Sequence, residues 1–193
     1  MSAREKLINF MHNEAKKPLT FDELCTEFGI EGREERQHFH DLIDQLIAEG
    51  SIYQNSSGKY GIPDKFNLIC GRIERSPKGF GFLIPDDPTR EDIYISMENM
   101  DGAMHNDKVF IKLLSESKGK RQEGQVTKIV ERANKTIVGN MDKDNNFGFV
   151  VPDNKRIFTD VFIPKTDMNG AKNGQKVVAE IETWPEKNRK PEG

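Results

Sequence analysis

Lys78-Gly79-Phe80-Gly81-Phe82-Leu83-Ile84 returns in altered form as Asn146-Phe147-Gly148-Phe149-Val150-Val151. Alternate side chains of a β-strand share a face, so Phe80 and Phe82 point one way, as do Phe147 and Phe149. Gly81 and Gly148 leave the opposite face bare, which weakens a strand and marks close backbone approach or sharp coiling. Paired rings on an exposed strand face suit stacked bases.

The repeat extends well beyond the rings. Gly71 matches Gly139, Pro85-Asp86 matches Pro152-Asp153, and Asp92-Ile93-Tyr94-Ile95 matches Asp160-Val161-Phe162-Ile163. Gly102-Ala103 and Lys108-Val109 continue it as Gly170-Ala171 and Lys176-Val177. The spacing is 68 residues from Gly71 to Gly139, 67 from Phe80 to Phe147 and 68 from Asp92 to Asp160, so one small indel is later reversed. A period this long means tandem domains rather than a solenoid of short units. In the first copy, short strands are expected at 69–75, 80–85, 92–96, 108–114 and 124–131, the five that an OB barrel uses.

Each copy then offers a stacking platform: Phe80, Phe82 and Tyr94 in the first, Phe147, Phe149 and Phe162 in the second. A base stacked on such a ring contributes about 1 to 3 kcal/mol with little sequence preference. Lys78, Arg72, Arg75, Lys108 and Lys143 are the candidates for backbone phosphates. The competing reading of any single Phe is barrel core, but a Phe-Gly-Phe pattern made twice is hard to derive from packing alone.

The first sixty residues have helical periodicity. Ser2-Ala3-Arg4-Glu5 and Thr20-Phe21-Asp22-Glu23 have capping-box spacing, Pro18 separates two helices, and Gly29 is placed to stop the second. A third helix, about 34 to 49, carries Phe39, Leu42, Ile43, Leu46 and Ile47 on one stripe and ends at Gly50. Two short strands around Asn55-Ser56-Ser57-Gly58 form a hairpin, giving a winged helix. Its third helix exposes Glu34, Glu35, Asp41, Asp44 and Glu49 beside Arg33 and Arg36, a poor footprint for duplex phosphates. His38 and His40 lack the Cys or carboxylate partners of a metal motif and read as a solvated helix face.

Composition bounds the rest. The chain has 193 residues, 35% hydrophobic and 32% charged, with a formal net charge of −3. Residues 1–65 carry eight basic against twelve acidic side chains, 66–132 eleven of each, and 133–193 ten against nine. A phosphate-binding surface must therefore come from local clustering in the barrels. Neither a membrane span nor a signal-peptide core is present, which points to the cytoplasm. Cys25 and Cys70 have no CxxC spacing and read as buried thiols.

At their aromatic motifs the two copies resemble cold-shock domains, whose RNA-binding motifs look like K-G-F-G-F-I and V-F-V-H. Here they read Lys78-Gly79-Phe80-Gly81-Phe82-Leu83 and Ile93-Tyr94-Ile95-Ser96. The second copy departs further, with Asn146 in place of a glycine and Pro164 after Val161-Phe162-Ile163. Neither copy has the Trp of the cold-shock first strand: Arg75-Ser76 and Asp142-Lys143 occupy that region. The domain order, a winged helix (1–65) and two cold-shock-like OB barrels (66–133 and 134–193), is similar to the N-terminal part of the bacterial ribonuclease R family, within the ribonuclease II superfamily. The resemblance implies binding and guidance of single-stranded RNA toward a catalytic domain that uses Mg2+ for 3'-to-5' hydrolysis. It associates the helical module with structured RNA or a protein partner.

Against the first barrel, the second lacks its last strand at Gly193, so the expectation is an RNA-binding fragment without catalytic or metal-binding residues or a cofactor of its own. Asp86, Asp87 and Asp92 fall in connecting loops, where turn-forming roles prevail over metal ligation. A self-contained RNA chaperone or translation regulator and a winged-helix DNA-binding regulator are the rival readings.

Overall fold

In the N-terminal helices, Ser2 and Thr20 stand before α1 (Ala3–Asn13) and α2 (Phe21–Glu27), and each closes a capping box with Glu5 or Glu23. The Ser2 Oγ accepts from the Glu5 N–H at 3.2 Å while a Glu5 carboxylate oxygen accepts from the Ser2 N–H at 2.8 Å. These reciprocal bonds satisfy donors that a first turn otherwise leaves to water. At the other end of α1, the Lys65 ammonium donates to the carbonyls of Met11 and Ala15. α3 (Arg33–Ala48) buries Phe39, Ile43 and Leu46 in a core with Leu7, Met11 and Leu24, and Leu42 and Ile47 pack against it partly buried. β1 (Tyr53–Gln54) and β2 (Tyr60–Gly61) pair antiparallel around a turn in which the Asn55 side-chain oxygen accepts from the Ser57 and Lys59 N–H groups.

The computed structural model describes residues 2–114, 121–186 and 189–193. It divides into two compact units, residues 1–70 and 71–193. β3 (Leu68–Arg75), β4 (Gly81–Pro85), β5 (Ile93–Ile95), β6 (Lys108–Leu113) and β7 (Gly124–Glu131) make one antiparallel sheet in the order β5-β4-β3-β6-β7. Tyr94 bridges Glu123 in parallel, curling the sheet's two edges toward closure. β8 (Thr136–Lys143), β9 (Phe147–Pro152), β10 (Val161–Pro164) and β11 (Lys176–Glu180) repeat that order as β10-β9-β8-β11. Phe162 bridges Glu192 in parallel at the equivalent place. Among the described residues the second sheet has four strands to the first sheet's five.

Repeated glycines permit the curl. A Cβ on Gly71 would lie 2.3 Å from the Ile84 carbonyl oxygen, and one on Gly139 would lie 2.2 Å from that of Val151. Any side chain at either position would push the first two strands of its barrel apart. Inward residues alternate with outward ones along each strand, placing Ile73, Leu83, Ile93 and Ile95 in the first core and Ile137, Val150, Val161 and Ile163 in the second.

The barrels meet at a polar seam. Asp107 is fully buried and accepts from the Met104 N–H at 2.9 Å, the Ala133 N–H at 3.0 Å and Arg132 Nη1 at 2.8 Å. The Arg132 guanidinium lies 4.7 Å from the Trp184 ring centroid, and Met104 joins the second barrel's hydrophobic cluster. A buried carboxylate is tolerable only when so fully paired.

Candidate nucleic-acid interface

Phe82 on β4 stands directly opposite Tyr94 on β5, and Phe149 on β9 opposite Phe162 on β10. Directly paired residues of an antiparallel ladder share a face, so each pair projects from the same side of its sheet. Phe80 sits just before β4, where its carbonyl accepts from the Ser76 N–H at 2.8 Å and closes the β3–β4 turn. Ring centroids are 5.8 to 5.9 Å apart in the Phe80, Phe82, Tyr94 triad and 5.7 to 6.0 Å apart in the Phe147, Phe149, Phe162 triad. The rings are half-buried, and Phe147 is 37% exposed. The glycines between them serve the barrel interior: a Cβ on Gly81 would lie 2.7 Å from Met100 Cε, and one on Gly148 2.8 Å from Met141 Sδ. A ring-glycine-ring strand thus shows its aromatics outward because nothing larger than hydrogen fits on the inner side.

The proposed phosphate partners fare unevenly. Lys78 is exposed at the β3–β4 turn, and Arg72 is exposed on the same outward face as Glu74. Arg75 requires correction. Its side chain is buried, Nη1 and Nη2 donate to the carbonyls of Ala103 at 3.2 Å and Gly79 at 3.0 Å, and its Nε has no hydrogen-bond partner. Burial pulls its pKa below the ordinary guanidinium value, while Asp107 opposes the shift. Arg75 points to the inner face of β3, so it holds the barrel end together rather than facing solvent. Lys143, its repeat equivalent, is exposed, yet its Nζ donates to the Ala171 carbonyl at 3.0 Å. Lys108 is paired with Asp86 at 3.0 Å, as Lys176 is with Asp153.

Two cations escape the sequence reading. The Arg121 guanidinium lies 4.3 Å from the Phe82 ring centroid, and Lys190 Nζ lies 4.5 Å from that of Phe149. Each stands two residues before the Glu that bridges the third strand of its barrel, in Arg121-Gln122-Glu123 and Lys190-Pro191-Glu192. Extending the repeat by one residue past Gln122 and Pro191 would have found them. A cation over a ring face contributes about 0.5 to 1 kcal/mol at an exposed site. It also places positive charge beside any base that stacks there.

No group of three or more His, Cys, Asp or Glu among the described residues is arranged to hold a metal ion. His40 is paired with Asp44 at 3.0 Å. No helix among them is long and apolar enough to cross a membrane.

Residues 71–129 match the family described as Ribonuclease B OB domain, and residues 149–193 match the Cold shock domain family. Over 193 residues, 99% of the chain, the identity to a Ribonuclease R of Thermotoga maritima is 34%. The chain is a relative of ribonuclease R. The ribonuclease R of Acidithiobacillus ferrooxidans is 29% identical, again over 99% of this chain. The chain spans 27% and 43% of the lengths of these two ribonuclease R proteins. A solved structure of Mycoplasma genitalium ribonuclease R in complex with ribose-methylated single-stranded RNA matches 64% of this chain and 20% of its own, with a TM-score of 0.58 and 22% identity. That likeness establishes a shared fold.

Proposed function

We propose that this chain is the RNA-binding N-terminal part of a ribonuclease R-like 3'-to-5' exoribonuclease, holding single-stranded RNA and guiding it toward a catalytic part outside these residues. The observation that carries the reading is the duplicated outward triad of rings with a cation over its central Phe. A stacked base needs only a ring face, so two such faces hold a strand without reading its sequence. Lys78, Arg72 and Arg121 supply positive charge near the rings, joined by Lys190, which is also paired with Asp160 at 3.3 Å, while the whole chain remains acidic.

In this reading hydrolysis, with the Mg2+ expected for it, belongs to the catalytic part. The helices and hairpin of residues 1–65 act as a winged helix that meets structured RNA or a protein partner. Duplex reading by α3 is disfavoured because Arg36 is already engaged, paired with Asp22 at 2.5 Å and lying over Phe21.

Fluorescence titration with unstructured RNA tests the platforms. The chain is expected to bind with salt-sensitive affinity that drops on replacing Phe80 and Phe82 together by Ala. Unchanged affinity would remove the platform assignment, and preference for duplex DNA would favour a winged-helix regulator instead.

A further inference from the structure

The first platform has a carboxylate beside it. Glu74 on β3 is directly opposite Phe82 on β4 and shares its outward face. Opposed residues of such a ladder have Cβ atoms about 4.5 to 5.5 Å apart, so an unpaired Glu74 would set a negative charge where a stacked nucleotide brings its phosphate. It is not unpaired. Arg156, from the segment between β9 and β10 of the second barrel, reaches it at 3.2 Å.

Two residues on, Phe158 is 47% exposed. Its ring packs against Gly79, the residue before Phe80: a Cβ there would lie 3.3 Å from Phe158 Cε2 and 2.8 Å from Met97 Sδ. The buried Arg75 guanidinium lies 5.4 Å from the Phe158 ring centroid and orients it. Phe158 and the 53% exposed Met97 thus prolong the apolar surface of Phe80 around the β3–β4 turn. An exposed ring held in place and flanked by the exposed Lys78 and by Arg156 has the make-up of a stacking site for a charged polymer.

We propose that the β9–β10 segment of the second barrel completes the RNA face of the first: Phe158 stacks a further base beyond Phe80, and Arg156 neutralises Glu74. The inference rests on the single-stranded RNA reading above and deepens it, because one binding surface then runs across both barrels. Among the described residues the second barrel has no matching arrangement. Asp142, opposite Phe149, makes no ion pair among the described residues.

The test is fluorescence anisotropy of a labelled oligoadenylate with the 193-residue chain, folding being checked by thermal melting. Phe158→Ala and Phe158→Leu should each weaken binding by about fivefold or more, the lower end of the stacking range. The Leu variant keeps apolar cover over Arg75 and so separates stacking from packing. Arg156→Ala should weaken binding severalfold, and adding Glu74→Gln should return it to near the wild-type value. Normal binding by both Phe158 variants alongside weakened binding by Phe82→Ala would overturn the proposal while leaving the platforms standing. Failure of Glu74→Gln to rescue would overturn the neutralising role of Arg156. Normal binding by Phe82→Ala would instead bring down the underlying RNA reading, and this inference with it.

Discussion

The loops before β6 and before β11 make the same bonds in opposite environments. In the first barrel the Arg75 side chain reaches the Ala103 carbonyl, the Arg75 N–H reaches His105 Nδ1, and the Met104 N–H reaches Asp107. In the second, Lys143 reaches the Ala171 carbonyl, the Lys143 N–H reaches Asn173, and the Lys172 N–H reaches Gln175. Gly102 and Gly170 have nearly the same positive φ, +75 and +76, yet a Cβ on Gly102 would lie 2.2 Å from the Pro185 carbonyl while one on Gly170 would meet nothing within 4 Å. The first loop lies beneath the second barrel. Where the loop is covered, Arg75, His105 and Asp107 are buried, and where it is open, neutral Asn173 and Gln175 and a solvated Lys143 perform the same bonds. Geometry is inherited by the repeat, whereas residue chemistry follows burial.

The largest contrast should be in stability. Asp107→Ala removes the acceptor of two backbone donors and the ionic partner of Arg132, which keeps only its bond to the Gly102 carbonyl at 2.9 Å, and is expected to cost about 3 to 5 kcal/mol, as broken buried pairs do. Gln175→Ala should stay within about 0.5 kcal/mol, the usual range of a surface change. Urea unfolding of both variants measures the difference, and equal losses would break the distinction between a covered and an open loop.

Next come the two platforms. Phe80→Ala with Phe82→Ala should lose about 1 to 3 kcal/mol of RNA binding per base unstacked. Phe147→Ala with Phe149→Ala should lose less, because the first face alone gains Phe158 and a neutralised Glu74. Titration of both double variants decides it; a larger loss from the second pair would reverse the ranking.

Smaller effects belong to the ring-capping cations. Arg121→Ala and Lys190→Ala should each weaken binding modestly and flatten the dependence of log K on log salt by about 0.7, the share of one phosphate contact on a single strand. A slope unchanged in both would confine these cations to covering the rings.

The smallest effect is one of pH. Burial, then Arg156, holds the His105 pKa below its ordinary value of 6.5. The unfolded chain therefore takes up its proton more readily than the folded one. Stability from neutral His105 is complete above about pH 6.5 and declines as pH falls through that value toward the folded pKa. His105→Asn, which copies Asn173, should remove this component of the acid sensitivity in thermal melts at a series of pH values. A melting profile identical to the wild type would show that His105 does not contribute.

Strand positions, both capping boxes and the outward rings were legible because each depends on residues a few positions apart. The β4 boundary was displaced by one residue, since Phe80 belongs to the turn that Gly79, with φ +95, makes possible. Sequence displays a charge but not its surroundings: Arg75 is buried, and Lys108 is paired with Asp86 at 3.0 Å. Arg121 and Lys190 were overlooked because they come from the far edge of each barrel and reach the rings only when the sheet curls.

Alternation, glycine placement and the repeat period by themselves determined two curled sheets with three outward rings apiece. Local backbone sterics suffice for that. Only the tertiary structure decided which charges are consumed inside the fold, which cations cover the rings, and that Arg156 and Phe158 of one barrel lie against the other. Those outcomes depend on desolvation and on neighbours brought together from distant parts of the chain.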